Sequence, residues 1–187
     1  MRRLVIAITG ASGSVYGIRA LQLLAPLADV ETHLIISGPA KTILAIETDQ
    51  SVAEVEALAD HVHSVRDIAA PTSSGSFRTA GMLVAPCSIK SLSAIANSMS
   101  ADLISRTADV TLKERRPLVL MVRETPFHLG HLRLMEHAAE VGAIIYPPVP
   151  AFYNKPSSLD DIVTHSVGRA VEHLGISIGD LERWHGG

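Results

Sequence analysis

With 187 residues, 47% of them apolar, and a net charge of −3, the chain is long enough for one domain with a substantial core, and it lacks the basic surface that nucleic-acid binding demands. Aromatic residues are only 4%, so an aliphatic core is expected, and Asp, Glu, Lys, Arg or Pro interrupts every apolar run before it reaches membrane-spanning length. The single cysteine, Cys87, excludes an internal disulfide and suits a reducing cytoplasm, the expected location.

Arg2-Arg3 before an apolar run has the outward form of a signal peptide, but that run meets a glycine turn within a few residues, so residues 3–9 read as a first strand. The turn Gly10-Ala11-Ser12-Gly13-Ser14 leads into a helix over 15–27. Its glycine spacing is neither the dinucleotide fingerprint nor a Walker loop, yet backbone amides and two hydroxyls at a helix start suit a phosphate. A second strand over 31–36 ends at Ser37-Gly38, and Pro39 fits the first turn of a helix over 39–47. A further helix is predicted over 52–59. The small polar stretch Pro71-Thr72-Ser73-Ser74-Gly75-Ser76 precedes a strand over 82–85. Helices over 89–97 and 103–113, a strand over 118–122, a helix over 129–141 and a strand over 143–146 follow. The proline-dense segment from Tyr146 to Pro156 carries three aromatics and suits either a wall over a planar ligand or a stiff surface crossover. Ser158, with Asp161 three residues on, resembles a capping box opening a helix over 159–174. The tail Leu181-Glu182-Arg183-Trp184-His185 reads equally as a cover for a neighbouring subunit's pocket or as a packing anchor.

Near-continuous apolar strands alternating with helices predict an α/β, single-domain (1–187), three-layer Rossmann/flavodoxin-like fold with a mainly parallel sheet and helices on both faces. Ligands in such sheets bind beyond the carboxyl ends of the strands. Those ends carry Gly10-Ala11-Ser12-Gly13, Ser37-Gly38, Pro86-Cys87-Ser88, Arg123-Glu124-Thr125-Pro126 and Pro147-Pro148, which supply hydroxyls, helix starts and a cation. Arg123, a guanidinium ending an apolar strand, marks a site by itself. Cys87 has no base beside it in sequence and reads as a packing thiol. The pairs His61/His63 and His128/His131 lack carboxylate or cysteine companions in sequence, so no metal is expected, and the second pair is expected to cap or pack.

Several segments together resemble the UbiX-type flavin prenyltransferases. They are Gly10-Ala11-Ser12-Gly13, Ile46-Glu47-Thr48-Asp49, Ser73-Ser74-Gly75-Ser76-Phe77, Ala85-Pro86-Cys87-Ser88-Ile89-Lys90-Ser91, Ala108-Asp109-Val110-Thr111-Leu112-Lys113-Glu114, Arg123-Glu124-Thr125-Pro126-Phe127-His128-Leu129-Gly130-His131-Leu132 and Pro148-Val149-Pro150-Ala151-Phe152-Tyr153. The resemblance implies an enzyme that joins dimethylallyl phosphate to N5 and C6 of reduced FMN, making the prenylated flavin used by UbiD-type decarboxylases, with ubiquinone biosynthesis as the pathway. It implies FMN against Gly10, Ala11, Ser12, Ser37, Ser88, Ile89, Lys90, Ser91 and Arg123. The prenyl phosphate would meet Tyr153 and Arg169, with Lys113 and Arg106 completing a cationic cluster and Glu47 and Glu124 as nearby acids. Arg123 and Glu124 are adjacent, so one side chain is expected to face flavin and the other substrate. A homo-oligomer, typically a dodecamer in this family, would build each site from neighbouring subunits.

Without that resemblance, Lys113, Arg106 and Arg169 read as solvated helix residues and Tyr153 as a packing aromatic. No Asp-Asp-x-x-Asp is present to hold magnesium, since Asp160-Asp161 is followed by Ile162, Val163 and Thr164. Arg and Lys stabilise a departing monophosphate without a metal. Glu124, Glu47 and the released phosphate are alternative proton carriers. Two rival functions share the fold: an FMN-dependent decarboxylase of a cysteinyl substrate, and a non-catalytic FMN carrier. Cys87-Ser88-Ile89-Lys90 and Pro148-Val149-Pro150-Ala151 stand where the decarboxylases show Ser-Ala-Asn-Thr and Pro-x-Met-Asn, and a carrier has no need of the cationic cluster.

Overall fold

The computed structural model describes residues 1–179 and 181–184. Its strands are β1 (Arg2–Ile8), β2 (Val30–Ile36), β3 (His61–Ser64), β4 (Gly81–Cys87), β5 (Leu118–Val122) and β6 (Ile144–Ile145). They form one sheet in the order β3-β2-β1-β4-β5-β6, with every neighbouring pair parallel. The helices among the described residues are α1 (Ser14–Leu24), α2 (Gly38–Glu47), α3 (Val52–Glu56), α4 (Ile89–Ala96), α5 (Leu103–Lys113), α6 (Leu129–Glu140) and α7 (Leu159–Glu172).

Alternation along the central strands sorts two cores. Leu4, Ile6 and Ile8 of β1 point to one face with Leu83 of β4 and Val119 of β5, where Ile18 and Leu21 of α1 and Val163, Val167 and Val171 of α7 cover them. Val5 and Ala7 point to the other face with Met82, Val84 and Leu120, beneath Leu92 of α4, Leu103 and Ala108 of α5 and Ala138 of α6. Burial on both faces is why these strands read as unbroken apolar runs. Gly17 lets α1 press onto the sheet, since a Cβ there would lie 2.5 Å from the Ala85 carbonyl oxygen.

Three local expectations need correction. Residues 61–64 form the edge strand β3, whose sequence His-Val-His-Ser carries no apolar run; pairing with β2 makes it a strand. The helix predicted over 52–59 stops at Glu56, and the final strand is only Ile144–Ile145. The Ser-rich stretch contains a 3₁₀ turn over Pro71–Ser73 and is strapped to α5. There the Thr107 hydroxyl donates to Thr72 (3.1 Å), Arg106 Nε to the Ser73 carbonyl (3.2 Å) and Arg116 to the carbonyls of Gly75 (2.7 Å) and Phe77 (2.9 Å).

The tail packs on its own chain as far as Trp184. Leu181 joins the first core beside Gly168, the Glu182 carbonyl lies 3.2 Å from His165 Nε2, and Trp184 meets Tyr153 edge to face. His185 lies outside the described residues. No helix among the described residues is long and apolar enough to cross a membrane.

Candidate functional site

The strand order reverses between β1 and β4, and a cavity of ≈ 840 Å³ opens there beyond the carboxyl ends of the strands. Its size falls within the ~300–1,000 Å³ typical of small-molecule sites. The lining includes Gly10, Ala11 and Ser12 after β1, Ser37 after β2, Ser88, Ile89, Lys90 and Ser91 after β4, and Arg123 and Glu124 after β5. All nine residues expected against the flavin thus share one cavity with the acid Glu124, and Arg123 and Glu124 both face it.

Local sequence explains the wall. Gly13 caps α1 with φ 104°, a left-handed conformation that costs glycine little. Ser37 caps α2, its hydroxyl accepting from the Ala40 amide at 3.2 Å, and Pro39 supplies the first turn. Ser88 caps α4 in the same way, accepting from the Ser91 amide at 3.3 Å and donating to the Ser91 hydroxyl at 3.2 Å. Buried Thr9 ties the two central strand ends together, donating to the Pro86 carbonyl (2.8 Å) and accepting from the Ser88 amide (2.8 Å). The capped first turn of α4 leaves the Ile89 and Lys90 amides without intrahelical acceptors at the cavity wall.

One sequence expectation is revised here. The α1 amino end, read as a phosphate seat, already holds an anion: Glu47 Oε2 accepts from the amides of Gly13 (2.8 Å) and Ser14 (3.2 Å). Burial pushes this carboxyl up, but hydrogen bonds from the Ser12 hydroxyl and those amides, with the Arg123 charge, outweigh it and hold Glu47 below the usual carboxylate range. Tyr16 sits in the same neighbourhood, its phenol raised by burial and partly restored by Arg123. Open anion positions are therefore the α4 start and the cations Lys90, Arg123 and Arg66.

Sequence reading missed Arg66, Thr9, Tyr16 and the α5 start at Asp102 and Ser105, which also lines the cavity. Arg66 follows β3, so the strand-end rule would have found it had that strand been recognised. Asp102 is engaged in capping α5, accepting from the Ser105 amide at 2.9 Å. Cys87 is fully buried in apolar surroundings that push its thiol up to about 12, which makes it a packing residue.

The four remaining residues of the expected cationic cluster are not brought together within one chain. Arg106 and Lys113 lie on α5, over the second face of the sheet, where Arg106 pairs with Asp109 (2.9 Å) and Lys113 with Glu114 (2.5 Å). Arg169 lies on α7, over the opposite face, and pairs with Glu172, which also pairs with Arg183. Tyr153 Oη is 3.1 Å from His165 Nε2 of α7. None of the four lines the cavity, nor does any residue of the proline-dense segment expected as a wall. The sheet itself separates the two pairs. His128 caps α6 through the Gly130 amide (3.0 Å) and packs on His131 at 3.6 Å, so this histidine pair does cap and pack.

An anionic, largely planar ligand fits the cavity. Val65, Ile68, Ile89, Ala94 and Ile104 offer apolar surface, while three cations and two serine-capped helix starts offer charge and donors. FMN has that composition.

The family model Flavoprotein matches residues 1–168. Flavin prenyltransferase UbiX of Escherichia coli K12 is 56% identical, with all of both chains covered. The crystal structure of AnUbiX (PadA1) in complex with FMN and dimethylallyl pyrophosphate superposes with a TM-score of 0.96 at 53% identity, covering 99% of this chain and 98% of that one. A structure described as a dodecameric FMN-dependent UbiX-like decarboxylase from E. coli O157:H7 gives a TM-score of 0.95 at 46% identity, covering 98% and 100%.

Proposed function

The chain belongs to the UbiX-type flavin prenyltransferases of the Flavoprotein family, and on that footing we propose that it joins dimethylallyl phosphate to N5 and C6 of reduced FMN. The observation that carries the reading is the switch-point cavity, in which nine flavin-contact candidates and Glu124 share one wall. Prenylated FMN would then pass to a UbiD-type decarboxylase, in ubiquinone biosynthesis.

Reduced flavin supplies the nucleophilic N5 and the C6 position of ring closure. The chain's own groups do the rest. Arg123, Lys90 and the open amides of α4 hold the flavin's anionic part, and the apolar cavity residues keep water from its ring. As the allylic C1–O bond breaks, phosphate leaves with growing negative charge, which Arg169, Lys113 and Arg106 stabilise and Tyr153 meets with a hydrogen bond. Glu124 faces the cavity and accepts one bond, from the Thr125 amide (2.9 Å), which suits it to pass a proton to the prenyl double bond before ring closure and to take back the one lost from C6. Glu47, held as a carboxylate by two amides, suits a fixed negative charge better than a proton donor.

The cationic cluster lies on two faces of one chain, so it needs a second subunit. Its assembly is proposed between copies in a homo-oligomer, with a dodecamer as the expected form. Two arms test the reading. Anaerobic incubation with reduced FMN and dimethylallyl phosphate should yield a flavin heavier by one C5H8 unit; unmodified flavin under conditions where a known prenyltransferase succeeds overturns the activity. Co-expressed Lys113→Ala and Arg169→Ala chains, each inactive alone, should regain about one quarter of the sites by random mixing if each site draws on two subunits. No recovery in verified hybrid oligomers refutes the shared site. The carrier alternative predicts unmodified flavin in the first arm. The decarboxylase alternative predicts release of carbon dioxide from a cysteinyl substrate instead.

A further inference from the structure

We propose that Glu31, His33 and His61 form a binding site for a divalent transition metal of the zinc class, with His63 as its positioning residue. The residues gather by strand register. Glu31 and His33 are two apart on β2 and so share a face, and His61 is the direct partner of His33 across the β2–β3 pairing. The Glu31 Oε1 oxygen lies 3.0 Å from His33 Nε2 and 3.3 Å from His61 Nε2, and donor atoms of all three lie within 4.8 Å of one another. Donors around tetrahedral zinc stand about 3.3–3.6 Å apart, given metal–ligand lengths of about 2.0–2.2 Å. Among the described residues no other group of three such side chains converges this closely.

Several further features fit the chemistry. His33 Nδ1 is 2.9 Å from His63 Nε2, so with Nε2 on the metal the Nδ1–H donates to His63, the outer-shell bond that fixes a ligating imidazole. His33 is buried, whereas the His61 side chain is 52% exposed and stacked on His33, which gives the ion an entry path and His61 freedom to turn its lone pair inward. Phe77 closes the floor edge-on to His33 at 5.1 Å. Arg3 now shares the Glu31 carboxylate at 3.3 Å, but its guanidinium also rests over the Phe77 ring at 4.8 Å and keeps that seat when the carboxylate turns to a cation.

Two strands are bridged by these three ligands, so the ion would clip the four-residue edge strand β3 to β2, with water at the fourth position. The cluster starts at the amino ends of β2 and β3, and none of its residues lines the flavin cavity at the other end of the sheet. It therefore stands apart from the prenyl-transfer chemistry.

The test uses the untagged full-length protein, stripped with chelator and titrated with Co²⁺. The expected result is one equivalent per chain with the visible absorption of tetrahedral cobalt. His61→Ala, at an exposed position, should weaken binding by at least about 10-fold, and His63→Ala by about 10- to 100-fold. Glu31→Gln is read the same way should His61→Ala fold poorly, and His131→Ala should leave binding unchanged. Absence of the cobalt bands overturns the site, as does binding that survives both His61→Ala and Glu31→Gln or is lost in His131→Ala.

Discussion

Replacing Gly17 by alanine should damage the protein and its flavin site together. A Cβ at that position would lie 2.5 Å from the Ala85 carbonyl oxygen and 2.6 Å from Ile8 Cγ1, both in the core. Ordinary carbon–oxygen contacts sit at about 3.3–3.6 Å, so α1 must withdraw by roughly 1 Å. A gap of that size forfeits roughly a quarter to a half of the dispersion energy along the helix face carrying Ile18, Leu21 and Leu24. Overpacking of this kind costs about 1–3 kcal/mol, and the better helix propensity of alanine returns about 1 kcal/mol. The net loss is then up to about 2 kcal/mol, each kcal/mol lowering Tm by about 2–4 °C for a chain of this size. The Gly10–Gly13 turn is continuous with α1, so FMN affinity should fall as well. Urea unfolding of flavin-free protein and fluorescence titration with FMN measure the two effects. Gly38→Ala, where an added Cβ meets nothing within 4 Å, is the control and should be no less stable than the parent. A Gly17→Ala chain that matches the parent in both stability and FMN affinity would refute the close-packing account.

Glu47→Gln should lose about 0.5–1 kcal/mol at neutral pH, a modest figure because the carboxylate is exposed. Glu47's folded pKa is depressed, so its contribution is present above the ordinary carboxylate range and disappears as pH falls through that lowered pKa; melting curves of parent and variant should converge on acidification. Thr9→Val keeps the shape but leaves the part-buried Ser88 amide without its acceptor and the Pro86 carbonyl without its donor, which should cost about 1–3 kcal/mol in urea unfolding and weaken FMN binding through the displaced α4 cap. Cys87, with its thiol pushed up to about 12, should resist iodoacetamide at pH 8 until the chain is unfolded; rapid labelling of the native protein would contradict its burial.

What could be read from the sequence follows the physics of burial. Strands buried on both faces announce themselves as apolar runs, so β1, β2, β4 and β5 were visible, as were the helix starts marked by Ser37, Ser88 and Ser158. The edge strand β3 was not, because His61, Val62 and Ser64 are exposed and only pairing with β2 makes them a strand. Arg66 was lost with it. Contacts distant in sequence were equally hidden: no local pattern shows that Glu47 reaches back across more than thirty residues to the Gly13 and Ser14 amides. The same limit applies to the histidines. His61 and His63 lacked a carboxylate nearby in sequence, and parallel pairing supplies Glu31 from a strand some thirty residues earlier.

The two-sided placement of cations bears on the homo-oligomer proposed above. An open parallel sheet offers one crevice at its switch point, and here that crevice is taken up by a cavity suited to a flavin. A prenyl phosphate laid against the flavin needs several cations at its far end. A single chain spends its own on local acids: Arg106 on Asp109, Lys113 on Glu114, Arg169 on Glu172. The Lys113–Glu114 pair is exposed and the other two are part-buried; an exposed pair is worth about 0–1 kcal/mol, so Lys113 exchanges its partner at little cost when an anion arrives. Bringing the α5 surface of one copy to the α7 surface of another would concentrate this charge without adding a domain. On the proposed reading, assembly and catalysis are then one requirement, and surface pairs that do little for the fold of a subunit are kept in reserve for a departing phosphate.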